Sequence, residues 1–290
     1  NYYLIEEQIR TARLHLPRGY SRALPSLAIG ASAGLPRVFD LAMQAIAHGD
    51  GRVDAETMSR LTAAYQSVTP LKLGELWAIP IMLRLALIEN LRRMSVLIMR
   101  DSVEHGLAAE WAARLDDVAE RDPKSVVLVL ADMARSNLPL TGPFVSELMR
   151  GLHGRSAALA MPMSWIEQWV ADGGHGAEQL IHAESQQQAA DQVSISNSIG
   201  SLRFLINMNW REFVEALSIV ERTLLEDPAR IYASMDFHTR ANYRHAVESL
   251  ARAGGVSEVD VARIVVELAG VANRADPIAA HVGYYLIDDG

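Results

Sequence analysis

The stretch LGELWAIPIMLRLALIENLRRM, residues 73–94, carries the strongest helical pattern in the sequence. Its large apolar residues recur at steps of three and four, the spacing that puts side chains on one side of an α-helix. A stripe this wide is typical of a central helix that is buried on several sides. We expect the helix to run from Leu73 to about Glu104, with Pro80 either kinking it or marking its true start. The stripe consists of Leu76, Ile79, Leu83, Leu87, Leu91 and Met94, and Ile81, Leu85 and Ile88 widen it.

Shorter segments in the rest of the sequence also carry helical signals. Helix N-cap signals occur at Asp54 and Asn209, and Ser164 with Glu167 has the spacing of a capping box. Separate helices are expected at about 108–120 and 177–192. The apolar run 126–130 has helical flanks, which favour a buried helix over a strand.

The sequence therefore predicts an all-α fold, an irregular α–α array or multi-helical bundle of about a dozen helices joined by short loops. No repeat of fixed period is present. A stretch rich in Gly, Ala and Ser at residues 151–162 is the best candidate for an internal boundary. It divides the chain into an N-terminal helical half, 1–155, and a C-terminal helical half, 156–290, which we expect to pack as one unit.

The composition excludes several classes of function. Acidic residues outnumber basic ones by 35 to 27, so the chain lacks the overall basic character of a nucleic-acid-binding protein. The absence of cysteine excludes disulfides, thiolate metal ligands and a cysteine nucleophile. The most apolar segment, 76–91, contains Arg84 and Glu89 and is shorter than the roughly 20 apolar residues of a membrane-spanning helix. Because the chain opens at Asn1 rather than at a methionine, we expect it to be a piece of a longer protein.

One motif resembles a catalytic serine site. Residues 30–34, GASAG, match the pattern G-x-S-x-G, which in α/β-hydrolases exposes a nucleophilic serine at a strand-to-helix elbow. No parallel-sheet pattern surrounds Ser32, so the motif favours a loop of small residues.

Motifs for metal, phosphate or nucleotide-sugar binding are missing. Glu178 with His182, and His245 with Glu248, share helical faces, but a helical metal site needs further carboxylates or a matching pair on a facing helix. The sequence has no phosphate-binding glycine loop and no Asp-x-Asp pair. We therefore predict no catalytic residue, no metal site and no cofactor in this segment. A tryptophan pair four residues apart, Trp165–Trp169, favours a core contact over a sugar-stacking platform.

Three blocks of the sequence resemble the cyclic β-1,2-glucan synthase family. The first lies at residues 1–25 and includes LPRGY at 16–20, and the second runs from 64 to 93 through AYQSVTPL and GELWAIP. The third comprises MDFHTR at 235–240, Tyr243–Arg244, the region of Glu258 and HVGYYL at 281–286. Members of this family are very large inner-membrane proteins with a cytoplasmic helical N-terminal region, membrane helices, a UDP-glucose-dependent glycosyltransferase domain and a phosphorylase-like domain.

The resemblance implies that this chain is the helical N-terminal region of such a synthase. Its expected role is a non-catalytic scaffold on the cytoplasmic side of the bacterial inner membrane. The expected partners are the glycosyltransferase and membrane segments of the same polypeptide, with β-1,2-glucan as a further candidate and no nucleic acid. A carbohydrate-binding module that holds the nascent β-1,2-glucan and an independent hydrolase using Ser32 are the alternatives. The predicted contact surface consists of Tyr65, Gln66, Glu75, Trp77, His281, Tyr284 and Tyr285.

Overall fold

The computed structural model describes residues 2–15, 24–155, 157–174, 176–272 and 278–287. Within these residues the predicted all-α class is confirmed, since the only β pairing is an isolated bridge between Ser26 and Pro36. Residues 16–20 of the first resemblance block lie outside the described ranges. The described residues form thirteen helices, which are α1 (Tyr2–His15), α2 (Arg37–His48), α3 (Ala55–Gln66), α4 (Leu73–Arg121), α5 (Val126–Arg135), α6 (Gly142–Leu152), α7 (Ala160–Asp172), α8 (Ala177–Asn207), α9 (Trp210–Leu217), α10 (Ile219–Leu224), α11 (Phe237–Gly254), α12 (Glu258–Ala272) and α13 (Val282–Leu286).

Two helices are longer than the sequence predicted. The segments expected at 73–104 and 108–120 form the single helix α4 of 49 residues, and the helix expected at 177–192 continues to Asn207 as α8. Pro80 lies inside α4 and is buried, so it does not mark the start of the helix. The prediction of a helix start at Ser164 was wrong, because α7 begins at Ala160.

Local capping fixes several other helix starts as predicted. The carboxylate of Asp54 accepts the amide of Thr57 at 2.8 Å at the start of α3. Asn209 accepts the amide of Glu212 at 3.3 Å at the start of α9. The apolar run 126–130 is helical and forms the first half of α5.

The chain divides into two compact units. Unit 1 comprises residues 1–88 and 197–290, and unit 2 comprises residues 89–196. These two units differ from the predicted halves 1–155 and 156–290. The division into halves stays a prediction. No described helix is long and apolar enough to cross a membrane.

One hydrophobic core cluster of unit 1 lies among α10, α11, α12 and α13, and apolar side chains of α2, α3 and α4 such as Ile46, Met58 and Leu83 are buried as well. Buried hydrogen bonds join distant parts of the sequence within this unit, since Gln66 donates to the carbonyl of Leu217 at 2.9 Å. Ser201 donates to the carbonyl of Gly51 and accepts the amide of Val53, both at 2.8 Å. Such pairing matters because a buried polar group left without a partner costs about 1–3 kcal/mol. The core side chains include Leu73, Val220, Leu224, Tyr232, Val247, Val261, Val265 and Val282.

Unit 2 has its own apolar core. The C-terminal part of α4 contributes Ala108, Ala112 and Leu115, and α5, α6 and α7 pack against them. Glycine at 151 allows a close approach, since a Cβ atom there would lie 2.7 Å from the Cβ of Ala112. The other core side chains include Val129, Met133, Phe144, Leu148, Ile166 and Val170.

Candidate functional site: a charge network beside an aromatic groove

The first turn of α4 is held by two buried carboxylates. Glu75 accepts two hydrogen bonds from Arg37, at 2.6 and 2.7 Å, and a third from the amide of Lys72 at 2.9 Å. The side-chain bond to Glu75 raises the pKa of Arg37 above its ordinary value. Glu258 reaches from α12 and accepts the amide of Leu73 at 2.8 Å, although its burial raises the pKa of its carboxyl. Both carboxylates therefore satisfy amide groups at a helix start, where negative charge is also favoured.

A second network of charges links α10 to α11. The carboxylate of Glu221 is buried and accepts hydrogen bonds from Tyr232 at 2.8 Å, Arg240 at 2.7 Å and Arg244 at 2.5 Å. Glu215 accepts a further bond from each arginine at 3.1 Å. Burial and the neighbouring Glu221 raise the pKa of the Tyr232 hydroxyl, so it stays a neutral donor. Two buried nitrogens, Nε of Arg240 and Nη2 of Arg244, have no hydrogen-bond partner among the described residues.

Aromatic side chains cover one side of this network. The ring of Phe237 lies 3.9 Å from the guanidinium carbon of Arg211 and 5.0 Å from that of Arg244, within the range of cation–π attraction. Trp77 of α4 meets Phe237 edge to face, with ring centroids 6.4 Å apart. The indole of Trp77 remains 37 % exposed.

Two cavities adjoin these side chains. One has a volume of about 450 Å³ and is lined by Trp77, Phe237, Arg244 and their neighbours, and the other has a volume of about 470 Å³. Gly74 and Glu248 line both cavities, which are therefore adjacent, and we name the two together the α4–α11 groove. The full lining of this α4–α11 groove is Leu24, Pro25, Lys72, Leu73, Gly74, Glu75, Trp77, Phe237, Ala241, Arg244, His245, Glu248, Ala251, Arg252, Gly255, Val256 and Glu258.

A chain of polar contacts fixes α13. Asp227 is buried and accepts the amides of Ile231 at 2.9 Å and of Val282 at 3.1 Å. Its carboxylate also lies 3.0 Å from Nδ1 of His281, whose Nε2 lies 3.1 Å from the hydroxyl of Tyr243. Burial and the charge of Asp227 raise the pKa of Tyr243, so this hydroxyl is not activated as a nucleophile. The contacts position the segment that carries α13.

The predicted contact residues all lie in unit 1 but in different environments. Gln66 and Glu75 are buried and bonded within the chain, whereas Trp77 is exposed in the α4–α11 groove. Tyr65 is half-buried, and Arg37 lies over its ring at 5.9 Å. The remaining three, His281, Tyr284 and Tyr285, are partly exposed around α13. The role of this set in contacts with other segments stays a prediction.

Sequence reasoning missed most of the groove. Phe237, Ala241, Arg244, His245 and Glu248 line it from α11, at spacings that put them on one helical face. These five positions mix aromatic, basic and acidic side chains, so the face does not stand out as an apolar stripe. The helical spacing of these five residues was the sequence signal from which a shared face could have been predicted.

The described residues around the alternative sites form no catalytic arrangement. Ser32 donates a hydrogen bond to the carboxylate of Asp40 at 2.5 Å, and the described residues around it form no strand-to-helix elbow. No group of three metal-ligating side chains occurs among the described residues. Trp165 and Trp169 stack with centroids 5.3 Å apart and pack on the core of unit 2.

The fold and the groove define an all-α, multi-helical protein in which polar and aromatic side chains converge on one ligand-sized depression. No family model matches the chain. It is, however, 31 % identical over 292 aligned residues to the cyclic β-(1,2)-glucan synthase NdvB of Rhizobium meliloti strain 1021. The alignment covers 99 % of this chain and 10 % of the synthase, so the chain spans about a tenth of that relative. This similarity confirms the resemblance to a cyclic β-1,2-glucan synthase that the sequence predicted.

Proposed function

We propose that this chain is a non-catalytic helical scaffold within a membrane-bound, UDP-glucose-dependent cyclic β-1,2-glucan synthase. The observation that carries the proposal is the similarity over 99 % of the chain to only 10 % of a protein of that name. The remaining nine tenths of such a synthase lie outside this segment, and we place the glycosyltransferase domain there.

The contacts of the buried carboxylates support a structural role for the chain. Glu75, Glu221, Asp227 and Glu258 each bond to groups of the same chain, and each of these carboxylates joins two elements of unit 1. Removing one partner of a buried ion pair, such as those that Glu75 and Glu221 form with arginines, costs about 3–5 kcal/mol, so these contacts hold the helices in fixed positions. A rigid array of this kind suits a part that sets the placement of other domains.

The proposed contact surface consists of the members of the predicted set that are not buried. Trp77, Tyr65, Tyr284, Tyr285 and His281 combine apolar area with hydrogen-bonding groups, a composition enriched at protein interfaces. Their proposed partners are the glycosyltransferase and membrane segments of the same polypeptide, on the cytoplasmic side of the inner membrane.

The test compares the full synthase that contains this region with a version that lacks it. Membranes carrying each protein would be supplied with labelled UDP-glucose, and the labelled β-1,2-glucan would be measured. We expect the truncated synthase to lose glucan formation and to recover it when the 290-residue chain is added. We also expect the 290-residue chain alone to leave UDP-glucose intact.

A surface variant guards against simple misfolding of the truncated protein. Tyr65→Phe with Tyr284→Phe removes two hydroxyl groups and keeps the partly buried rings, so it should lower glucan formation by the full synthase and leave the unfolding temperature of the 290-residue chain nearly unchanged. Tyr2→Phe with Tyr3→Phe is the matched control, since both of these tyrosines are exposed on α1 outside the predicted surface. Full activity of the truncated synthase, or turnover of UDP-glucose by the 290-residue chain alone, would overturn the proposal.

A further inference from the structure

The α4–α11 groove has the size and lining of a ligand site. Its two adjacent cavities, of about 450 and 470 Å³, each fall within the 300–1,000 Å³ that is typical of small-molecule pockets. Both cavities belong to unit 1, and the groove runs from Trp77 and Phe237 at one end to Lys72 and Arg252 at the other.

One end of the groove offers an aromatic surface with a free donor. Trp77 is 37 % exposed, and its indole N–H has no hydrogen-bond partner within the described part of the chain. Phe237 supports the indole edge to face, which limits its freedom to move. Arg244 lines the same end, but its side chain is only 7 % exposed and is held by Glu215 and Glu221. This end therefore combines a flat apolar face with the unused donor of Trp77.

The other end carries charges of both signs. Lys72 and Arg252 are basic, whereas Glu75, Glu248 and Glu258 are acidic. Because Glu75 is fully buried and already paired with an arginine, neither sign is in large excess for a ligand. Glu248 bonds to Arg252 at 2.8 Å and remains 30 % exposed, which leaves acceptor capacity for a ligand. A balanced set of donors and acceptors suits a neutral ligand rich in hydroxyl groups, because each hydroxyl both donates and accepts. An anionic ligand would need an excess of basic groups.

Gly74 lines both cavities. Among the described residues, a Cβ atom at this position would meet the side chain of Leu24 at 3.9 Å, an ordinary van der Waals contact. A larger side chain at this position would therefore enter the groove.

We infer that the α4–α11 groove binds a short stretch of linear β-1,2-glucan, with Trp77 as the stacking surface for one glucose ring and Glu248 and Arg252 as partners for ring hydroxyls. The aromatic face fits the C–H side of a pyranose, and the balanced charges fit its hydroxyl groups. The choice of a β-1,2-linked glucose chain rests on the proposed function, whereas the site itself rests on the geometry of the groove.

The experiment is a calorimetric titration of the 290-residue chain with linear β-1,2-gluco-oligosaccharides, with β-1,4-linked oligosaccharides of equal length as the linkage control. We expect saturable binding of the β-1,2 series. Trp77→Ala, which removes the stacking surface, and Gly74→Gln, whose side chain would enter the groove, should each weaken the affinity by about tenfold or more. Trp111→Ala and Gly106→Gln are the matched controls, because both positions belong to unit 2 and neither residue lines the groove. Circular dichroism would establish that every variant is folded.

The absence of saturable binding, equal binding of the β-1,4 series, or unchanged affinity in both groove variants would overturn this inference. Its failure is distinguishable from failure of the scaffold proposal. A chain that binds no glucan but restores activity to the truncated synthase would overturn only the glucan site. A chain that binds glucan through the groove but restores nothing would support the site and overturn the scaffold.

Discussion

Replacing Glu221 by glutamine would keep the shape of a buried side chain while removing the charge that two arginines share. Glu221 is 2 % exposed and accepts hydrogen bonds from Tyr232, Arg240 and Arg244. Arg244 is itself only 7 % exposed, so water cannot take over the role of the lost carboxylate. The variant therefore isolates the charge, since it creates no cavity.

The expected cost follows from the contacts that remain. Removal of one partner from a buried ion pair costs about 3–5 kcal/mol when nothing compensates. Glu215 still accepts one bond from Arg240 and one from Arg244 at 3.1 Å, but it is 20 % exposed and more weakly coupled. We therefore place the loss for Glu221→Gln at the lower end, about 3 kcal/mol. A loss of that size corresponds to a decrease of about 6–12 °C in the unfolding temperature.

The assay is urea unfolding of the 290-residue chain, together with hydrogen exchange of the amides around Tyr232. Glu226→Gln is the matched control, because Glu226 lies five residues further on and is exposed, and we expect it to change stability by less than about 0.5 kcal/mol. A double-mutant cycle with Arg244→Met should show a favourable coupling energy between residues 221 and 244. A loss below about 1 kcal/mol in Glu221→Gln would refute the reasoning, as would an equal loss in Glu226→Gln.

Three further predictions concern single side chains. Gly151→Ala should destabilise unit 2 by about 1–3 kcal/mol, since its Cβ would lie 2.7 Å from that of Ala112. Gly106→Ala should instead stabilise the chain by up to about 1 kcal/mol, because the space around this helical glycine is open. Chemical denaturation would give the unfolding free energies of the two glycine variants and of the unmodified protein. Equal changes in the two variants would contradict the packing argument. Burial raises the pKa of Glu258, so deprotonation weakens the folded state as the pH rises above about 4.5, the ordinary value. The side chain of Glu258→Gln can still accept the amide of Leu73 but carries no charge. The unfolding free energy of this variant should therefore rise relative to that of the unmodified chain between pH 4.5 and pH 7. A difference in unfolding free energy that stays constant over this pH range would contradict the reasoning.

Local chemistry explains which helix ends could be predicted from the sequence. Asp54 and Asn209 cap their helices through bonds to amides three residues on, so the signal and its consequence lie within one turn. The lengths of α4 and α8 depend on tertiary packing instead. Gly106 did not end α4, because Ala108 and Leu115 beyond it are buried in the core of unit 2. The Ser164–Glu167 box was overridden in the same way, within a helix that begins earlier.

The site was predictable only in part, for a related reason. Trp77 and Glu75 stood out because aromatic and acidic residues interrupt an apolar helix start. Their neighbours in the groove come from α11, more than a hundred residues further along the chain. Periodicity shows that Phe237, Arg244 and Glu248 share one face of α11, but it does not show which helix that face meets.

The hydrogen bond from the amide of Leu73 to the side chain of Glu258 joins positions 185 residues apart, and all of residues 89–196 are made between the two parts of unit 1. At a ribosomal rate of about 5–20 residues per second, the first 88 residues wait roughly 5–20 s before the second part of their own unit begins to emerge. During that interval the start of α4 lacks the carboxylate of Glu258, and Leu73 lacks the side chains of α10, α11, α12 and α13 with which it forms a core cluster. Biosynthesis therefore leaves an early helix that needs shielding, by a chaperone or by temporary burial, until the last third of the sequence arrives.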